Sequence, residues 1–435
     1  MGNKVVTRFA PSPTGEFHLG GVRSALYNYL FAKQKKGTYI LRSEDTDRER
    51  SKKEHEDGFL ELFEWLGLRP DRFFRQSERT EIYKKYLEKM IADGFAYVSK
   101  EEIKEVGQRS EVIRFKNPNK KISFNDIVLG DITFDTTELK DFVIGRSVTE
   151  PLYHLTVVVD DYEMAVTHVI RGQEHIANTP RQILIQEAIG APRPIYAHMP
   201  LILGKDKAKL SKRDPEVMPA LEFRDLGYLP EAIINFMALI GWNPGGVQEV
   251  FTPAELVEKF DLHKIQKSGG VFNIEKLDWI NKEHIKRLPP KEIEKNILKW
   301  LAEDKRNPKL VPVILERISK WGDIIEMEAG GELDVYFKQP EYEKKKLIYK
   351  DTPLEKIYSN LKLAIKALSE IEENNFTAEN IKNALMLIAN NLESRGALFH
   401  PVRFALSGRD QSPDPFTIAS IIGKNETLSR LQKAV

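Results

Sequence analysis

The 435-residue chain predicts an α/β body on a doubly wound parallel sheet, with a β-rich insert and a long helical tail. Three observations carry this reading. VVTRFA, PSPTGEFHLGG, a helical pattern from Val22 to Lys35 and TYILRSED run in succession. Such a strand–helix–strand unit is the opening of a parallel sheet. Residues 99–150 break into short alternating segments separated by Asn, Pro and Gly, as an inserted β module should. Beyond GWNPGG (241–246) strand patterns become scarce, and the periodicity is helical to the end.

In chain order, residues 50–98 are helix-patterned and charged, and YKKYLEKMIADGFAYVS reads as helix, glycine stop and strand. The insert's segments are SEVIRFKNP, KKISFNDIVLGDITFD and KDFVIGRS. LTVVVDDYEM follows, a nearly continuous β-former run that predicts a strand buried on both faces. AVTHVIRG predicts another strand, and NTPRQILIQEAIG a helix with Pro180 in its first turn, where the missing N–H does no harm. Prolines 289, 290, 308 and 340 punctuate the tail, and KKK at 344–346 reads as a solvated patch.

Composition removes several classes. With no cysteine, disulfides, thiol nucleophiles and Cys-ligated zinc or iron–sulfur sites are excluded. The nine histidines form no HxH or HxxxH pair, so no protein-ligated metal is expected. No apolar run approaches the ~20 residues of a membrane span, and MGNKVVTRFA lacks the apolar core of an export signal. The expected compartment is the cytoplasm. A net charge of +1, from 66 basic and 65 acidic residues, argues against coating nucleic acid by bulk charge. Local basic patches that meet a large shaped nucleic acid remain open.

Two stretches carry chemistry. PSPTGEFHLGG (11–21) lies between a first strand and a helix, where α/β folds bind nucleotides, yet it is neither GxGxxG nor a P-loop. Gly20 and Gly21 would let a ligand lie against the helix start, with His18 placed to donate to phosphate or ribose oxygen. A strained turn carrying a surface histidine is the plainer alternative. LGKDKAKLSKRDPE (203–216) concentrates Lys205, Lys207, Lys209, Lys212 and Arg213 around Ser211. It is either a solvated basic loop or a strand-end loop that meets developing charge on a polyphosphate.

Paired in this order, HxGG and KLSKR resemble the signature of class I aminoacyl-tRNA synthetases. RFAPSPTGEFHLGGVRSALYNYLFA, LRSEDTDRERS, VVVDDYEMAVTHVIRGQEHIANTPRQ, KLSKR, FNIEKLDWIN and PVRFALSGRDQSP are similar to the glutamyl branch across essentially the whole chain. The resemblance implies a Rossmann-like catalytic domain in two halves (1–81 and 151–244) and an acceptor-end-binding insert (82–150). A stem-contact region (245–320) and a helical anticodon-binding region (321–435) would follow. It implies that ATP, with Mg2+, and L-glutamate give glutamyl adenylate, and that glutamate then passes to tRNA(Glu), with tRNA(Gln) a possible second acceptor. A monomer is the family expectation.

By the same resemblance His18, Lys209 and Lys212 are catalytic, and Gly20, Gly21, Glu174 and Ser211 join them at ATP. Arg8, Ala10, Ser12, Glu44, Tyr153 and Arg171 would form the glutamate pocket, Glu44 at the ammonium and the two arginines at the side-chain carboxylate. Arg395, His400 and Arg403 would meet tRNA. The chain departs from the pattern in its short, cysteine-free insert, which excludes the zinc knuckle of some relatives, and in Gln173 and Leu152. The glutaminyl enzyme should end in β-barrels, the tRNA-modifying paralogue should lack the tail, and a non-catalytic relative should have eroded motifs. None of these fits.

Overall fold

Strand β1 (Val6–Phe9), helix α1 (Leu19–Gln34) and strand β2 (Thr38–Ser43) form the expected opening unit, β1 and β2 parallel with Arg8 opposite Ile40. Because α1 starts at Leu19, Gly20 and Gly21 lie in its first turn. The computed structural model of the chain describes residues 4–102, 110–208 and 218–435. The KLSKR segment, with Lys209, Ser211 and Lys212, lies outside the described residues. The described chain forms two compact units, Met1–Arg287 and Leu288–Val435.

In the first unit the chain continues through α2 (Lys53–Trp65), β3 (Arg72–Arg75), α3 (Thr80–Ala92), β4 (Ala96–Lys100) and β5 (Glu111–Phe115). Next come β6 (Lys121–Asp126), β7 (Gly130–Asp135), β8 (Phe142–Ser147), β9 (Glu150–Pro151), α4 (Tyr153–Glu163), β10 (His168–Gly172) and α5 (Thr179–Ile189). The unit closes with β11 (Ile195–Met199), β12 (Ile202–Leu203), α6 (Glu222–Asp225), α7 (Pro230–Leu239), α8 (Pro253–Lys259), β13 (Gly270–Val271) and α9 (Ile274–Lys286). The main sheet has the order β3-β2-β1-β10-β11-β6-β7, with only β7 antiparallel to its neighbour. From β1 the sheet grows to β2 on one side and to β10 on the other. The strand order therefore reverses at β1, which opens a crevice beyond the carboxyl ends of these strands. Val22, Leu26 and Leu30 of α1 share one buried cluster with Ile170, Ala197, Ile233 and Met237.

The insert divides between two sheets. β4, β5, β8 and β9 make a separate antiparallel sheet, whereas the β6–β7 hairpin extends the main sheet beyond β11. α9 is tied to the first unit: Leu229 N–H donates to Asn281 Oδ1 (2.8 Å), and His284 Nε2 lies 3.0 Å from Asn235 Oδ1.

One expected strand is a helix. LTVVVDDYE lies within α4, with Met164 as its C-cap, and every residue from Leu155 to Asp161 is buried. A fully buried run has no polar face to betray its period, so valines that favour strands also fit a helix packed on both sides. The difference matters to the chemistry. On a strand, Asp160 and Asp161 would face opposite ways; on α4 both reach the same arginine. β3 was not expected either, because RFFR is too short to display a period. Among the described residues no helix is long and apolar enough to cross a membrane.

The second unit is helical: α10 (Pro290–Trp300), α11 (Val311–Arg317), α12 (Asp323–Ala329), α13 (Leu354–Ser369), α14 (Ala378–Ala389), α15 (Gly396–Ser407), α16 (Pro415–Ile422) and α17 (Lys424–Ala434). Leu361, Ile381, Leu398, Val402, Ile418 and Leu431 are fully buried in it. Pro401 sits inside α15 and cannot donate to the carbonyl of Ala397. That carbonyl instead accepts from the amide of Asn360, a buried residue of α13, at 3.1 Å. Asn360→Leu therefore leaves a buried acceptor bare and should lower stability by ~1–3 kcal/mol in chemical denaturation. Adding Pro401→Ala, which restores a backbone donor, should recover much of that loss; simple additivity of the two changes would refute the pairing.

Candidate active site

The crevice at the strand ends is built from the loops that leave β1, β2 and β10. After β1, residues 10–18 return to α1, held where Glu44 N–H and Lys52 N–H donate to the carbonyls of Pro11 and Pro13, both at 2.9 Å. Ala10 is half-buried in this loop and Ser12 exposed. His18 is the residue before α1, with extended backbone, and its side chain makes no capping hydrogen bond. Its Nδ1 lies 3.4 Å from the carbonyl of Met218, so the half-buried imidazole stands beside a helix start whose first N–H groups need partners. The two glycines have different causes. A Cβ on Gly21 would overlap the Phe17 ring, which is wedged among Phe9, Phe59 and Phe63. A Cβ on Gly20 would meet nothing within 4 Å. Packing inside the chain explains Gly21 and leaves Gly20 open to a ligand.

Below the loop lies a buried charge network. Arg8 of β1 reaches Asp161 through Nε (3.2 Å), and Arg42 of β2 reaches the same carboxylate through Nη1 (2.8 Å). Burial opposes ionisation of Asp161, but Arg8 and Arg42 outweigh it and hold the carboxyl below its usual range. Asp160 pairs with Arg79 Nε at 2.7 Å and accepts from Tyr83 (2.8 Å) and Gln76 (2.9 Å). Glu44 accepts from Arg42 Nη2 at 3.3 Å. Burial raises the Glu44 carboxyl to about 7, against the pull of Arg42 and Arg8. Glu44 is thus a buried acid whose partner is already engaged by Asp161.

Arg171, at the end of β10, is surrounded differently. Its Nε lies 3.1 Å from His198 Nε2, Nη1 donates to Gln182 Oε1 and Nη2 to Thr179 Oγ1, both at 2.8 Å. Among the described residues no carboxylate lies within ion-pairing distance of it, although it is only 6% exposed. Among the described residues the Nε2 atom of Gln182, also buried, has no hydrogen-bond partner. Tyr153 opens α4, with its hydroxyl 3.5 Å from His175 Nδ1. Burial, helped by Arg171, lowers His175 to about 4. Glu174 is half-exposed and folds back over Gly172, whose missing Cβ leaves the space. A buried cation without an anion, a buried acid without a full partner and an open helix start meet at one switch point. That arrangement suits a ligand bearing both charges and a polyphosphate.

Comparison with known proteins agrees. Residues 4–111 and 99–279 match the model of tRNA synthetases class I (E and Q), catalytic domain, and 277–435 match an anticodon binding domain. A glutamate–tRNA ligase of Petrotoga mobilis is 40% identical across 98% of this chain and 97% of that protein. That of Bacillus subtilis is 35% identical across 99% of this chain and 100% of its own. The crystal structure of a glutamate tRNA ligase from Elizabethkingia meningosepticum in complex with its amino acid superposes with a TM-score of 0.88, at 32% identity and 99% coverage of both chains. The chain belongs to the glutamate–tRNA ligase family of class I synthetases.

Within this family member, the structure gathers Arg8, Ala10, Ser12, His18, Gly20, Gly21, Glu44, Tyr153, Arg171 and Glu174 around the carboxyl ends of β1, β2 and β10. In the second unit Arg395 is exposed just before α15, and His400 Nε2 lies 3.0 Å from the carbonyl of Lys346. Arg403 donates from Nη1 to the carbonyl of Arg409 (3.1 Å) and to Ser412 Oγ (2.9 Å). Sequence reasoning missed Arg42, Asp160, Asp161, Asp126 and His198. The available signal was the pair of aspartates in an apolar run, since buried carboxylates demand cations. Among the described residues no group of three or more His, Asp or Glu could hold a metal ion.

The two glycines give a paired test. Gly21→Ala should cost about 1–3 kcal/mol in denaturation, because the new methyl group overpacks the Phe17 cluster. Gly20→Ala should change stability by less than about 0.5 kcal/mol while raising the KM for ATP. Equal stability losses would remove the distinction.

Proposed function

We propose the following division of labour for glutamate–tRNA ligation, the activity of this chain. ATP and L-glutamate react to glutamyl adenylate and pyrophosphate, and the glutamyl group then passes to the 3′ end of tRNA(Glu). Arg171 takes the side-chain carboxylate, supported by Arg8. The observation that carries this reading is that, among the described residues, the buried Arg171 has neutral hydrogen-bond partners only, which leaves its charge for a ligand. Glu44 takes the ammonium, and Ala10, Ser12 and Tyr153 line the pocket between them.

The ATP phosphates lie over the start of α1, beside Gly20 and Gly21, with His18 donating to them and Glu174 near the adenosine. ATP enters as its Mg2+ complex; a magnesium carried on phosphate oxygens needs few protein ligands. Lys209 and Lys212 bring charge to the triphosphate, and Ser211 a hydroxyl that orients it, as the α-carboxylate attacks the α-phosphorus. No side chain becomes a nucleophile, so positioning and charge stabilisation carry the step. In this reading residues 82–150 direct the acceptor end, 245–320 meet the stem, and 321–435 read the anticodon, with Arg395 and Arg403 among the contacts. The enzyme works as a cytoplasmic monomer. Charging assays on tRNA(Gln) beside tRNA(Glu) decide whether the acceptor range is broader.

Glutamate-dependent ATP–pyrophosphate exchange, run with tRNA present and with glutamine as control, tests the assignment. Exchange should require glutamate, and Lys212→Ala should slow it on the order of 10²–10³-fold. Exchange driven by glutamine would overturn the specificity, and an unaffected Lys212→Ala variant the role of the loop.

Glu44 adds a pH test. The free enzyme holds its carboxyl near 7, and only the ionised form pairs with ammonium. The KM for glutamate should therefore rise as pH falls below 7, approaching tenfold per unit. Glu44→Gln should have a raised KM with that slope removed; an unchanged slope would place the titrating group elsewhere.

A further inference from the structure

His198 of β11 is fully buried, with a polar group at each ring nitrogen. Nδ1 lies 2.6 Å from Asp126 Oδ2, and Nε2 lies 3.1 Å from Arg171 Nε and 3.2 Å from Thr179 Oγ1. A guanidinium has only donors, so Nε2 must be the acceptor and the ring proton must sit on Nδ1. Asp126 imposes that tautomer. Its carboxylate is itself fixed by the backbone N–H groups of Val128, Leu129 and His198, at 3.0–3.2 Å. Burial would raise the Asp126 carboxyl, but His198 and the Leu129 N–H outweigh it and keep it below the usual range. Burial likewise lowers His198 and favours the neutral ring.

We infer that Asp126 and His198 are positioning residues that set the direction in which Arg171 presents its guanidinium to glutamate. The inference rests on the reading that Arg171 takes the side-chain carboxylate. The donor-only guanidinium is compatible with this tautomer of His198 alone. Arg171 Nε–H donates to His198, Nη2–H to the Thr179 hydroxyl and Nη1–H to Gln182, while the hydroxyl proton has both His198 Nε2 (3.2 Å) and the carbonyl of His175 (3.4 Å) as acceptors. Three of the five guanidinium N–H donors are thereby taken, which leaves one on each terminal nitrogen for the ligand. With the other tautomer, His198 would point a proton at Arg171 Nε–H and turn the fork away. Asp126 ends β6, the hairpin strand that pairs with β11, so a residue of the insert governs the centre of the crevice.

The test uses the full chain and steady-state aminoacylation of tRNA(Glu), measuring KM for glutamate, KM for ATP and thermal stability. His198→Phe removes the acceptor, His198→Gln supplies a replacement carbonyl near the Nε2 position, and Asp126→Asn releases the tautomer. Arg171→Ala stands beside them. His198→Phe and Asp126→Asn should raise KM for glutamate on the order of 10–100-fold, the cost of leaving a buried donor unmet. KM for ATP should stay within about twofold, and His198→Gln should recover most of the glutamate effect. If His198→Phe does not fold, Asp126→Asn and His198→Gln give the same contrast. Wild-type KM for glutamate in Asp126→Asn overturns the proposal. So does a parallel rise in both KM values with no recovery in His198→Gln, which marks a purely structural role. A wild-type KM in Arg171→Ala would instead overturn the underlying assignment of Arg171.

Discussion

Two guanidiniums, from β1 and β2, converge on the single carboxylate of Asp161 on α4, and none of the three could be buried there alone. Removing one partner of such a set generally costs ~3–5 kcal/mol, a large part of the ~5–15 kcal/mol by which a domain is stable. The neighbouring Asp160 anchors the same helix to Arg79, Tyr83 and Gln76. Consecutive carboxylates on one helix thus join the first two sheet strands to the helix that follows the insert. The crevice inherits its geometry from this joint: Arg8 and Glu44 stand where they do because Asp161 holds Arg8 and Arg42.

Against that background the arginines divide into two kinds. Arg8 and Arg42 are matched by carboxylates of the chain and bind the fold together. Arg171 is held by an imidazole, an amide and a hydroxyl, which orient it and leave its charge uncompensated. In the proposed assignment the cations paired with carboxylates serve mainly architecture, and the one left without a carboxylate serves recognition. The same contrast separates Asp161, held below its usual range, from Glu44, raised to about 7.

The elements legible in the sequence are those whose period or punctuation is local. β1, α1, β2, β10, α5 and the helical tail follow from apolar spacing and from their glycines and prolines. α4 was not legible, because a run buried on every side carries no period, and four residues of β3 carry none either. The attachment of the β6–β7 hairpin to β11 depends on pairing across some 70 residues of chain, as in the Tyr196–Asp126 register. In the site, residues lying in ordered motifs were proposed from those motifs. Arg42, Asp126, Asp160, Asp161 and His198 acquire meaning only from partners distant in sequence. The adjacent aspartates at 160 and 161 were the one local clue. The distinct reasons for Gly20 and Gly21 were invisible, since only the fold brings the Phe17 ring against one of them.

In the proposed assignment, selectivity follows from the way charge is left incomplete at two ends of one crevice. A ligand with a carboxylate at one end and an ammonium at the other completes both Arg171 and Glu44. Glutamine would satisfy Glu44 but bring a neutral amide to Arg171, turning N–H donors toward a site furnished with donors, the unpaired Nε2 of Gln182 among them. The guanidinium would then remain buried without compensation in a medium where charge is poorly screened. Sites that leave buried polar groups unmatched reject analogues by roughly 10⁴-fold or more, so discrimination against glutamine needs no second sieve. It needs Arg171 to keep its neutral partners and its direction, because a carboxylate of the chain placed beside it would remove the very charge that tells glutamate from glutamine.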